Sequence, residues 1–96
     1  MYYLEENCTV CGEGILGFLR CSDGKKVVIM CEECNSVWIN PVEVVDMNPI
    51  YPEPPDFLLP DSEISISGGD SGWASFEEIK SAGMSDYADE ARSYEP

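Results

Sequence analysis

The sequence predicts a small, metal-stapled, β-rich α+β fold, and three observations predict it. Four of the five cysteines fall into two Cys-x-x-Cys pairs, Cys8 with Cys11 and Cys31 with Cys34. Between the pairs, "ILGFLRCSDGKKVVIM" holds two apolar runs around an Asp-Gly turn, the signature of a β-hairpin. At 96 residues the chain buries only a modest fraction of its surface, so a covalent or metal staple is expected.

The cysteine spacing, Cys-x2-Cys-x19-Cys-x2-Cys, lies in the range of a structural zinc site, where four thiolates close a tetrahedral shell. A Cys-x-x-Cys turn points both sulfurs to one side, and the residue after the second cysteine often turns left-handed. Glycine reaches that conformation freely and asparagine tolerates it. Gly12 and Asn35 stand at those two places. "CTVCGEGIL" and "CEECNSVWI" therefore read as two equivalent halves, each running from a turn into apolar residues. A strand near Ile15 to Cys21 should pair with one near Lys26 to Met30. A third should run from Val37 through Val45, with Pro41 forcing an edge or a bend.

These features resemble the zinc-ribbon family: two cysteine knuckles, a hairpin between them and an aromatic, Trp38, soon after the fourth cysteine. The resemblance covers about the first half of the chain and implies a three-stranded antiparallel sheet. It also implies one structural Zn2+ held by Cys8, Cys11, Cys31 and Cys34. Ribbons commonly carry proline after the first cysteine, where this chain has Thr9. The ligand set suits iron of the rubredoxin sort as well, so zinc and iron stay open at this level. A redox Cys-x-x-Cys would need a helix after one pair, and neither pair precedes a helical pattern. Four thiolates leave no open position for a catalytic water, and the chain has no histidine to serve as a base. Cys21 is the odd cysteine, expected to be a packing residue or an exposed thiol.

Three segments follow from these readings: a ribbon over 1–47, a Pro-rich strap over 48–62 and an acidic C-terminal segment over 63–96, packed as one domain. "NPIYPEPPDFLLP" has five prolines in thirteen residues, which bars a regular helix. Its Tyr51, Phe57, Leu58 and Leu59 favour a strap over the sheet rather than a solvated linker. "SEISIS" alternates polar and apolar residues and allows a short edge strand at Ile64 and Ile66. Ser75 and Glu78 form a capping box, and Gly83 supplies a left-handed stop, so a short helix spans about 76–82 with Phe76 and Ile79 on its buried face. Ser85 can cap a second helix carrying Tyr87, Ala91 and Tyr94 on one side.

The chain carries 19 acidic and 5 basic residues, a formal charge of −14. Residues 1–46 hold 8 acids against 3 bases, and residues 47–96 hold 11 against 2, so the second half contributes −9. Such a polyanion is repelled by phosphate backbones, and only Arg20, Lys25 and Lys26 cluster near the hairpin. No stretch reaches the ~20 apolar residues of a membrane span, and the N-terminus lacks an export signal, so a cytoplasmic, membrane-free location is expected. Acids recur beside aromatics: Tyr2 and Tyr3 near Glu5 and Glu6, Tyr51 near Glu53, Phe57 beside Asp56, Tyr87 near Asp86 and Asp89. Tyrosine among carboxylates suits recognition of a basic protein surface. The expected partner surface comprises Glu32 and Glu33 on the second knuckle, with Asp86, Tyr87, Asp89, Glu90 and Tyr94 in the tail.

No nucleophile with a base, phosphate-binding loop or open metal position is evident, which points to a binding module and not an enzyme. Small size, acidity and the ending "GWASFEEIKSAGMSDYADEA" resemble bacterial immunity proteins, which bind and block a secreted toxin, often a basic nuclease. That resemblance implies neutralisation of a basic toxin. The alternatives are a ribbon associated with nucleic acid, as in transcription or ribosome factors, and an adaptor docked on the basic surface of a larger assembly.

Overall fold

The computed structural model describes residues 1–46 and 48–95, apart from the side chain of Asp46. The boundary drawn at residue 47 and the last residue of the C-terminal segment fall on Met47 and Pro96, outside the described residues. Among the described residues an antiparallel sheet has five strands: β1 (Tyr3–Asn7), β2 (Ile15–Arg20), β3 (Val27–Cys31), β4 (Val37–Trp38) and β5 (Gly72–Trp73). Its order is β1-β2-β3-β4, and β5 also pairs with β2.

The hairpin of β2 and β3 forms as expected, from Leu16 opposite Cys31 to Arg20 opposite Val27. Its turn closes because Gly24 takes a φ of 73° and the Asp23 carboxylate accepts from the amides of Lys25 and Lys26. Those two bonds, strengthened by the adjacent Lys25 charge, hold the Asp23 pKa below its ordinary value. The sheet is wider than the three strands expected. β1 pairs with one end of β2, with a slip in register between Tyr3 and Asn7, and β5 pairs with the other end through Leu19 and Arg20. The third strand is also shorter than expected. After Trp38 the chain leaves the sheet, and from Pro41 to Asp46 it winds as a 3-10 helix, since proline has no amide to give a ladder.

Both faces of the sheet are covered, which explains why "VVIM" is an unbroken apolar run rather than an alternating one. On one face lie Leu4, Leu16, Phe18, Val27, Ile29 and Trp38, and Ile79 of helix α1 (Phe76–Ser81) packs against them. On the other face lie Leu19, Val28 and Val37, covered by Leu59 of the strap and edged by Ile50, Ile64 and Ile66. Phe57 is half-buried, whereas Tyr51 and Leu58 stand exposed.

The α1 capping box forms in full. Ser75 Oγ accepts from the Glu78 amide and Glu78 Oε1 accepts from the Ser75 amide. Arg20 ties the helix to β2, donating to both Glu78 carboxylate oxygens at 2.9 and 3.0 Å and to the Asp70 carbonyl. The strand that the sequence allowed and the second helix that it expected do not form in full. Ile64 and Ile66 make no strand; Ser65 joins Leu58 in a single bridge. The second helix reduces to one 3-10 turn, Ser85–Tyr87, whose cap receives no side-chain bond. Beyond it the backbone extends along β1 instead. The Tyr3 amide donates to the Arg92 carbonyl, and the Tyr94 amide donates to the Met1 carbonyl. No helix among the described residues is long and apolar enough to cross a membrane.

Candidate metal centre and acidic face

Two turns deliver four sulfurs to one point. Cys8 follows β1 and Cys31 ends β3, so the sheet fixes the first cysteine of each pair. The turn after each then swings the second cysteine back. Gly12 and Asn35, with φ of 78° and 62°, make the left-handed reversals the sequence called for. The ligand atoms of Cys8, Cys11, Cys31 and Cys34 all lie within 4.8 Å of one another, a cluster that could hold a metal ion. Cys8 and Cys34 sulfurs are 3.6 Å apart and those of Cys11 and Cys31 3.7 Å. A tetrahedron with Zn–S bonds of about 2.3 Å has edges of about 3.8 Å. A disulfide would need about 2.05 Å. These two distances match the edges of a tetrahedral metal site and are too long for disulfides.

The backbone is arranged to receive negative sulfur. Cys8 Sγ accepts from the amides of Val10 and Cys11, Cys31 Sγ from Glu33 and Cys34, and Cys11 Sγ from Gly14. Cys34 is served by Ser36, whose hydroxyl lies 3.1 Å away. Burial pushes the Cys8 thiol up, and pushes Cys31 up to about 12 despite its amides. The amides of Glu13 and Gly14 lower Cys11. Burial also raises Cys34, but the Ser36 hydroxyl and amide together with the Cys31 and Cys8 side chains outweigh it and hold that thiol down at about 7. Left to themselves the four would not ionise together at neutral pH. A bound metal dication would supply the charge that lets them do so. With all four sulfurs engaged, the centre supplies cross-linking: it would bolt the end of β1 to the end of β3.

Two residues of this centre, Gly14 and Ser36, were not singled out from the sequence, and Thr9 stands out there only as a departure from the ribbon pattern. A side chain at Gly14 would run into Cys31 Sγ and come within 3.3 Å of Cys11 Sγ, so glycine there makes room for the cluster. Thr9, at the ribbon proline's place, donates its hydroxyl to the Val44 carbonyl at 2.8 Å, pinning the first knuckle to the 3-10 helix. Ser36 is fully buried, two residues beyond Cys34, and its pattern in the sequence is that of an ordinary polar residue before a strand. Cys21 stands apart from the cluster, fully buried beside Leu19, Val28 and Leu59.

The predicted partner residues separate into two groups. Asp86, Tyr87, Asp89 and Glu90 line a surface cleft together with Glu5 and Glu6 of β1 and with the basic Arg92. Tyr87 is exposed there, and Asp89 Oδ1 accepts from the Ala91 amide. Glu32 and Tyr94 meet instead: the Tyr94 hydroxyl donates to the Glu32 carboxylate, and its ring stands edge-on to Tyr3, 5.6 Å between centroids. That carboxylate pushes the Tyr94 phenol up to about 12. Glu33 is exposed beside them. Arg20, grouped with Lys25 and Lys26 in the sequence, has its charge paired with Glu78.

Compared with protein-family models, curated proteins and solved structures, the chain matches none. The fold and site define a class only: a small β-rich antiparallel fold with one short helix and a four-cysteine cluster able to bind a metal.

Proposed function

We propose that this chain is a non-enzymatic, zinc-stapled binding protein of the ribbon type, whose acidic face captures a basic protein partner. The observation that carries the reading is the cleft between β1 and the tail, lined by five acids, Glu5, Glu6, Asp86, Asp89 and Glu90, against one base, Arg92, together with the exposed Tyr87. A tyrosine offers rigid, amphipathic contact area, and the carboxylates steer and orient a positive surface. Neutralisation of a basic bacterial toxin, such as a nuclease acting in the cytoplasm, is the specific form proposed. A nuclease's own substrate groove is the natural cationic target for a polyanion. Nucleic acid is not the proposed ligand, since Arg20 is committed to Glu78 and leaves Lys25 and Lys26 as the basic side chains of the hairpin tip.

Two measurements test this. Elemental analysis of the reduced protein should return one zinc per chain, and a metal-free folded protein would end the structural part of the proposal. Binding to a candidate basic toxin, with rescue of its toxicity, should be lost in Asp86→Lys/Asp89→Lys. Direct binding of RNA or DNA at physiological salt, without a protein partner, would overturn the functional part.

A further inference from the structure

Cys34 differs from the other three cysteines in what serves its sulfur, and the difference leads out of the cluster into the strap. Ser36 Oγ lies 3.1 Å from Cys34 Sγ and 2.9 Å from the Tyr51 hydroxyl. Ser36 is 0 % exposed, so these two groups are what its hydroxyl has to bond with. One hydroxyl carries one proton and can donate to one of them. A cysteine that ligates a metal does so as a thiolate, which only accepts. The structure has Ser36 donating to Tyr51; opposite a metal-bound thiolate at Cys34 the pair reverses, with Ser36 donating to Cys34 and Tyr51 to Ser36. The order of donation runs from the strap inward.

Tyr51 is 55 % exposed, so burial does not fix its ring. Its place is set by the neighbouring backbone and by its hydroxyl. Ile50 exchanges two bonds with Val37, at 3.1 and 2.7 Å, which brings the strap alongside β4 and carries Tyr51 over Ser36. We infer that Ser36 and Tyr51 form an outer hydrogen-bond chain on the Cys34 ligand, through which a bound metal and the proline-rich strap hold each other in place. This rests on the proposal that the cluster binds zinc. Coupling of this kind is reciprocal: the metal steadies the strap by as much as the strap retains the metal.

The test is the rate at which the zinc-loaded protein gives up its ion to an excess of a metallochromic chelator. Outer partners of metal ligands typically contribute about 10–100-fold in metal affinity. Ser36→Ala should therefore release zinc faster by a factor in that range. Tyr51→Phe keeps the ring and removes the donor, and should also release faster. Because the two act as one chain, Ser36→Ala/Tyr51→Phe should release no faster than Ser36→Ala alone. A separate packing role for each residue would make the effects multiply, and that result overturns the inference. Wild-type release from Tyr51→Phe, a variant that keeps the half-exposed ring and removes one hydroxyl, overturns it equally. A wild-type protein that takes up no zinc removes the metal reading and this inference together, which distinguishes the two failures.

Discussion

At Gly14 the cluster leaves no room for a methyl group, because the added carbon would occupy the space of Cys31 Sγ. Gly14→Ala should consequently lose most of its bound metal, as read by elemental analysis after dialysis. The cost would exceed the ~1–3 kcal/mol of ordinary overpacking, since the ion's own contribution goes with it. Cys21 provides the contrast. It packs in the core below the strap, and burial, aided by the Asp23 carboxylate, pushes its thiol up to about 11. Cys21→Ala should keep the full metal content and lose on the order of 1 kcal/mol of stability. In the native protein Cys21 should resist alkylation at neutral pH. Loss of metal from Cys21→Ala would show that the ligand set is wrong.

Helix α1 is short enough that its tertiary anchors decide whether it stays folded, and Glu78 supplies two of them at once. The bond from the Ser75 amide, then the Arg20 guanidinium, hold its carboxyl below the ordinary value of 4.5. A carboxylate depressed in the folded state contributes stability that is present above its unfolded pKa and is lost as pH falls through the folded one. The margin by which wild type exceeds Glu78→Gln in chemical denaturation should therefore be steady near neutrality and shrink as pH falls below about 4.5. Acid release of metal affects both proteins alike, so the difference between them isolates Glu78. A margin that does not change with pH would remove the carboxylate from the account. At this scale the sequence was legible where the signal was local. The Asp23-Gly24 turn, the capping box and the left-handed Gly12 and Asn35 are each set by a few adjacent residues. It was not legible where distant segments compete for one strand. β1 forms because β2 has an open edge to offer it, and nothing in "YLEEN" alone announces a strand. The tail around Tyr87 and Tyr94 had helical spacing but found backbone partners on Met1 and Tyr3. That pairing also places Tyr94 against Glu32, so a knuckle variant at Glu32 disturbs the tail, and Glu33→Lys is the cleaner probe of the knuckle.

For the whole molecule, one quantity acts on folding and on partner binding with opposite signs. A charge of −14 on 96 residues repels itself in the compact state, and the acids of β1 and the tail are brought together only by folding. Added sodium chloride shortens the Debye length from about 30 Å at 0.01 M to about 8 Å at 0.15 M. It should therefore raise the melting temperature of the metal-loaded protein. The same screening should weaken the attraction that would steer the proposed basic partner, whose association should approach ~10⁸ M⁻¹s⁻¹ at low salt and slow as salt is added. A metal cross-link, which contributes an apparent ~10–16 kcal/mol in small zinc peptides, would be large beside the roughly 5–15 kcal/mol of a whole domain. Chelation should accordingly abolish binding at every ionic strength. Thermal melts and stopped-flow association measured across one salt series, with and without chelator, check all three outcomes. If the complex forms at a rate that does not depend on salt, the acidic cleft is not its docking surface. The exposed Val10, Val42 and Val45 would then be the side chains to vary next.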